Sequence, residues 1–229
     1  MKRLLIALLA IGFLTAIVDA AEKQALKDQK DKISYSLGAD IGNSLKRQSI
    51  EINPDALVLG LRDVLSNSKT LLTDKEMQEI LAGFRKEMMA KQAEQFKAMS
   101  EKNKREGEAF LAENKRKDGV ITLPSGLQYK VIKAGTGAVP KETDTVVVHY
   151  TGTLINGNEF DSSYKRGEPA SFSVNGIIQG WKEALLMMKT GSKWQLFIPS
   201  SLAYGERGAG RDIGPNSALI FEVELVSIK

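Results

Sequence analysis

The 229-residue chain is 42% hydrophobic and 26% charged, and its 32 Lys plus Arg against 28 Asp plus Glu leave a formal net charge of +4. That composition describes a soluble, globular protein of one or two domains. The absence of cysteine excludes disulfides, thiolate metal sites and a cysteine nucleophile. His149 is the single histidine, so a histidine-rich metal site is excluded and a Ser-His-Asp mechanism would have to be built on that one residue. The positive balance is too small and too dispersed to argue for nucleic acid, which needs basic residues gathered on one face.

Lys2 and Arg3 precede a nearly uninterrupted apolar run over residues 4–18, followed by Asp19, Ala20 and Ala21. A basic start, an apolar stretch and small residues at its end describe a secretory signal peptide, with cleavage expected after Ala20. A membrane anchor is the alternative, but the run is short of the ~20 residues that cross a bilayer. The mature chain then carries no membrane span, its net charge falls to +3 through loss of Lys2, Arg3 and Asp19, and a bacterial periplasm or outer surface fits best.

From residue 31 to residue 67 apolar residues recur at helical spacing: Ile33, Leu37, Ile41 and Leu45, then Leu57, Leu61, Val64 and Leu65. Asn53 and Pro54 supply an N-cap and a first helical residue for the second set. Two short helices rarely bury enough surface to fold alone, so this unit is expected to associate. A second copy is the simplest partner, and docking onto the rest of its own chain is the alternative.

Thr73-Asp74-Lys75-Glu76 is a capping box that opens a proline-free stretch, on the order of 70 Å long if helical to residue 118. Met77, Ile80, Leu81, Phe84 and Met88 make an apolar stripe along its first part. The second part, 91–118, is half charged and shows no continuous face to bury. It reads as a solvated strut with acid-first pairs such as Glu101 with Arg105 and Glu113 with Lys117. A coiled coil or a nucleic-acid arm is less consistent with its alternating charges.

After Gly119 the period changes, and residues 127–132, 145–154, 171–174, 193–198 and 218–228 read as strands. Asn156-Gly157 signals a hairpin turn with both residues at positive φ. Residues 180–188 form the one helical candidate, with Trp181, Leu185 and Met188 on a face. Five strands over one helix make an α+β domain. Its turns carry aromatic residues that on pattern alone read first as core; interrupted by Asp161 and Tyr204, they also fit an apolar small-ligand concavity with a few polar groups. His149 follows the alternation of its strand away from Tyr150 and reads as structural.

Val148-His149-Tyr150-Thr151-Gly152, Gly157-Asn158-Glu159-Phe160-Asp161-Ser162-Ser163, Gly180-Trp181, Ala203-Tyr204-Gly205 and Pro215-Asn216-Ser217-Ala218-Leu219-Ile220-Phe221 follow one another in this order. In this the chain resembles the FKBP-type peptidyl-prolyl cis-trans isomerases. The upstream half, with Ile33-Ser34-Tyr35-Ser36-Leu37-Gly38 and Gly107-Glu108-Ala109-Phe110-Leu111, is similar to the macrophage infectivity potentiator branch of that family.

The resemblance implies a curved antiparallel sheet wrapped on one short helix, preceded by a long solvent-exposed helix and a small all-α dimerisation unit. Its divisions would be a signal peptide at 1–20, the helical unit at 21–72, the connecting helix at 73–118 and the isomerase domain at 119–229. It implies catalytic roles for Asp161, Tyr204, Phe160 and Trp181, the last as pocket floor, and binding roles for Tyr150, Phe172, Ile177, Ile178, Ile213 and Phe221. The Ile178 amide and the Tyr204 hydroxyl would donate to the bound peptide. After Pro169, where many single-domain members carry a large aromatic, Ala170 would open one wall. No cofactor and no metal are implied. The implied partners are proline-containing unfolded or extracytoplasmic polypeptides, a second copy in a V-shaped homodimer with chaperone activity, and macrolide inhibitors such as rapamycin. A non-catalytic chaperone, or a surface virulence factor that uses the pocket only for binding, is the alternative.

Overall fold

The structure, a computed structural model, describes residues 26–229; the expected signal peptide lies outside the described residues. They divide into two compact units, one ending at Asp74 and the other running from Lys75 to Lys229.

In the first unit α1 spans Gln29–Arg47 and α2 spans Pro54–Leu65. Asp28 caps α1 by accepting from the Asp31 amide at 2.8 Å. Asn53 caps α2 by accepting from the Asp55 and Ala56 amides, with Pro54 spending its missing N–H where none is needed. Neither helix has a buried residue. Ile41 and Leu45 of α1 face Leu57, Val58 and Leu61 of α2 across a groove of about 810 Å³, floored in part by Gly38 and Gly42.

In the second unit α3 spans Asp74–Asn114, starting where the capping box predicts and running ~60 Å at ~1.5 Å per residue. Most of it is exposed, but its last turns are not a free strut: Gly107 and Asn114 are buried. The Asn114 side-chain amide donates to Gln128 Oε1 at 3.0 Å, Gln128 Nε2 donates back to the Leu111 backbone carbonyl at 2.9 Å, and Phe110 meets Phe197 at 6.0 Å. The packing stripe mixes Phe110 with the small Gly107 and the polar Asn114, so hydrophobic periodicity alone does not reveal it. Ion pairs along the helix include Lys75 with Glu79 and Lys102 with Glu106, both 3.9 Å, exposed and with the base first. Such pairs contribute little.

Seven strands follow: β1 Val120–Thr122, β2 Gln128–Lys133, β3 Thr145–Leu154, β4 Glu159–Ser162, β5 Ala170–Ser173, β6 Lys193–Ile198 and β7 Leu219–Ile228. Between them lie α4, Ser163–Arg166, and α5, Gln179–Leu185. The antiparallel sheet runs β1-β2-β6-β7-β3-β4, with β5 also on β3. β1 and β4 were not among the strands expected from the sequence, because three and four residues are too few to show a strand's alternation.

The strands alternate as a half-buried sheet must. Val146, Val148 and Tyr150 of β3 and Leu219, Phe221, Val223 and Leu225 of β7 turn inward onto Trp181, Ala184 and Leu185 of α5. Each large side chain so buried contributes about 1.5–3 kcal/mol. In the β3–β4 hairpin only Gly157 takes positive φ, at 87°, while Leu154 and Asn158 pair across the loop. The connection is therefore three residues ending in a left-handed glycine rather than a two-residue turn.

Candidate functional site

The inward ends of β3, β4, β5 and β7, the start of α5 and the loop after β6 enclose a concavity of about 470 Å³. The structure brings Tyr150, Phe160, Asp161, Phe172, Ile177, Ile178, Trp181, Tyr204, Ile213 and Phe221 together around it, joined by Gly176, Ala209, Gly210 and Asp212.

Trp181 is buried at the first turn of α5. The rings of Tyr150, Phe172 and Phe221 meet it edge-on at 5.2, 5.8 and 5.2 Å, the arrangement that aromatic quadrupoles favour. Phe160 meets Phe221 edge-on at 5.5 Å. Gly152, on β3 beside Asp161 of β4, makes this possible: a Cβ there would lie 2.6 Å from Phe221 and 2.7 Å from Phe160. Among the described residues the buried Trp181 indole N–H has no protein partner. Ala170 is not part of the lining, and Phe172, two residues on along the same face of β5, supplies the aromatic wall.

Asp161 is, with Asp212, one of two acidic groups in the lining. Tyr150 donates to one carboxylate oxygen at 2.5 Å, Arg166 donates to the other at 2.5 Å, and Arg166 also donates to the Tyr150 hydroxyl at 2.8 Å. Burial alone would raise the Asp161 pKa, but the bonds from Tyr150 and Arg166 with the guanidinium charge outweigh it and hold the carboxyl below its ordinary value. Tyr150 is raised by burial and by its bond to Asp161. Arg166 closes α4 on the next turn of chain. Sequence reading missed it, because Lys165-Arg166 before Gly167 looks like any solvated helix end.

Tyr204 stands at the mouth, 40% exposed, and its hydroxyl has no hydrogen-bond partner among the described residues. Burial, then the Asp161 charge, raises its pKa, so it stays a donor. The Ile178 amide likewise donates to no protein group among the described residues. His149 lies outside the pocket, its Nδ1 3.1 Å from the Ser163 hydroxyl and its ring stacked on Tyr164. Among the described residues no three acidic or histidine side chains gather as metal ligands would.

The model of the domain amino terminal to FKBP-type peptidyl-prolyl isomerase matches residues 30–131, and that of the FKBP-type peptidyl-prolyl cis-trans isomerase matches residues 137–226. The outer membrane protein MIP of Legionella longbeachae is 49% identical over the whole chain and 98% of its own length. The peptidyl-prolyl cis-trans isomerase Mip of Coxiella burnetii is 45% identical over the whole chain and 99% of its own. Among solved structures, FkpA from Escherichia coli superposes with a TM-score of 0.71 at 40% identity, covering 90% of this chain and 99% of that one. An aromatic box with two unpartnered donors at its edge thus sits inside a sequence of this ancestry: the chain belongs to the FKBP-type peptidyl-prolyl cis-trans isomerases and is an enzyme of that class.

Proposed function

We propose that this isomerase works by taking the Xaa-Pro amide of an exported, unfolded polypeptide out of water and holding it twisted. Rotation about a prolyl amide must break resonance, at a barrier near 20 kcal/mol. The twisted state has less charge separation than the planar one, so an apolar box favours it over the ground state, and that difference is what lowers the barrier. Bringing tens of seconds to about ten milliseconds requires roughly 4–6 kcal/mol.

In this reading the prolyl ring enters against Trp181, between Tyr150, Phe160, Phe172 and Phe221. The Ile178 amide and the Tyr204 hydroxyl donate to peptide carbonyls, Ile177 and Ile213 cover the mouth, and Asp161 lies beside the rotating amide. No bond is made or cut, so no nucleophile, metal or cofactor is required. The observation that carries the reading is the pair of donors, Ile178 N–H and Tyr204 O–H, left without protein partners among the described residues at the edge of an aromatic box. A pocket of this size also suits drug-sized ligands, which supports macrolides such as rapamycin as inhibitors.

The test is the cis-to-trans rate of a short Xaa-Pro peptide by NMR exchange, with wild type, Tyr204→Ala and Asp161→Leu. Strong acceleration that falls in both variants supports the roles given. Survival of full rate in Asp161→Leu would remove Asp161 from the mechanism, and no acceleration by the folded wild type would leave a binding module.

A second element of the proposal is a homodimer through α1 and α2 with chaperone activity. It is favoured by the groove between these helices, which leaves Ile41, Leu57 and Leu61 about half exposed. Two linked pockets would hold an unfolded client by avidity. The signal-like residues 1–20 and the name of the Legionella longbeachae relative support export to the periplasm or outer surface. No described helix is long and apolar enough to cross a membrane.

A further inference from the structure

The rim of the pocket is a loop, residues 204–216, that carries Tyr204 and Ile213 and has little regular structure of its own. Its base is closed by the Asn216 amide donating to the Gly205 carbonyl at 2.8 Å. Asn216 holds a left-handed backbone, φ 53°, and its side chain donates to the Ser100 hydroxyl of α3 at 2.8 Å. One turn along α3, Asn103 donates to the Pro215 carbonyl at 2.8 Å and approaches the Ser217 hydroxyl at 3.4 Å. The approach is close: a Cβ at Gly214 would lie 2.9 Å from the Asn103 side-chain amide, which would have to give way.

Ser100 and Asn103 sit three residues apart on one helix face, with Gly107 a turn further on against Ala218. The sheet and α5 close their hydrophobic core without them. What these two side chains hold is the base of the rim, one residue from Tyr204 at Gly205 and two from Ile213 at Pro215.

We propose that Ser100 and Asn103 are positioning residues of the isomerase site: through Pro215 and Asn216 the long helix sets the placement of Tyr204 and Ile213 at the pocket mouth. The proposal deepens the isomerase reading and rests on it. A rim held by hydrogen bonds from outside the domain's own core is preorganised for the peptide, and releasing it adds an ordering cost to binding. The effect therefore falls on KM, since the aromatic box that favours the twisted amide is left intact.

The test uses the full chain with Asn103→Ala, Asn216→Gly and Ser100→Thr. Glycine at 216 keeps the left-handed backbone while removing the bond to Ser100, and threonine at 100 keeps the hydroxyl. Asn103→Ala and Asn216→Gly are expected to raise KM for an Xaa-Pro peptide three- to tenfold with kcat within twofold. Amide shift changes should centre on 203–217, the hydrogen-exchange protection of β3 and β7 should stay unchanged, and Ser100→Thr should keep wild-type KM. Wild-type KM and unchanged 203–217 amides in both variants would overturn the proposal. So would a loss of activity matched by a loss of β3 and β7 protection, because the residues would then be merely structural. If the wild-type chain catalysed nothing, the isomerase reading would fall, while the amide shifts and exchange would still decide whether helix and rim are coupled.

Discussion

Tyr150 and Asp161 stand on adjacent antiparallel strands, and the tyrosine donates its hydroxyl proton to the carboxylate at 2.5 Å across the wall of the pocket. The same hydroxyl accepts from Arg166, so the phenol is fixed by both of its hydrogen-bonding functions. An aromatic wall and an ionised carboxylate are thereby locked to each other, and neither is free to reorient when water leaves.

Removing the guanidinium breaks two of the three bonds in that triangle. Arg166→Ala is expected to lower kcat/KM several-fold and to let the Asp161 carboxyl titrate closer to its ordinary value. The acid limb of the pH–kcat/KM profile should then move upward relative to wild type. An unmoved limb would separate Asp161 from Arg166 and from the reaction.

The wild-type pH dependence follows from the directions of the shifts. Asp161 is depressed on folding, so the stability it contributes is present above the unfolded carboxyl value near ~3.9 and is lost as pH falls through the lower folded value. Tyr204 is raised above the ordinary 10.0 of a phenol, so its proton is kept throughout the neutral range. Activity is expected to be flat from about pH 5 to 9, to fall only below ~4 as Asp161 protonates, and to fall again only well above 10 as Tyr204 ionises. A bell centred on neutral pH would overturn the assignment of these two limbs to Asp161 and Tyr204.

Gly152→Ala probes the aromatic box without removing any aromatic residue. The added methyl would meet Phe221 and Phe160 at 2.6 and 2.7 Å, and the rings must move because the backbone is fixed in the β3 ladder. A loss of about 1–3 kcal/mol in urea unfolding is expected, with a larger fractional loss of kcat/KM than a surface change of equal stability cost. Wild-type activity in this variant would mean that the Phe160–Phe221 contact is not needed for catalysis.

Strands β3 and β6 have the ends that the sequence predicts, because their β-branched and aromatic residues stand between glycine and proline punctuation. Three-residue β1 and four-residue β4 are too short to show alternation, and they pair because β2 and β3 present open edges to them. The aromatic lining was not separable from core by residue pattern, because Tyr150, Trp181 and Phe221 belong to the buried core as well as to the pocket; the ordered motifs of the family resemblance singled it out. Arg166, Asn103 and Asn216 were not legible: each acts through one hydrogen bond made across the fold, and a polar residue on a helix end or loop looks the same whether solvated or paired. For the same reason the docking of the end of α3 stayed hidden behind a half-charged sequence.

The groove between α1 and α2 yields the remaining prediction. Ile41, Leu57 and Leu61 are 48%, 48% and 57% exposed, and α1 and α2 bury no residue within one copy. An apolar face left so open is relieved by a second copy, each molecule covering the other's groove about a two-fold axis. Leu61→Glu places a charge in that face and is expected to convert a dimer into a monomer in sedimentation equilibrium at micromolar concentration, through desolvation of the carboxylate. Cis-to-trans acceleration of a short Xaa-Pro peptide should stay within twofold, because α1 and α2 lie outside the pocket lining. Suppression of aggregation of an unfolded client should fall, since avidity needs two linked pockets. A wild-type chain that sediments as a monomer would sink the dimer, and an unchanged chaperone effect in a monomeric variant would sink the avidity argument while leaving the isomerase intact.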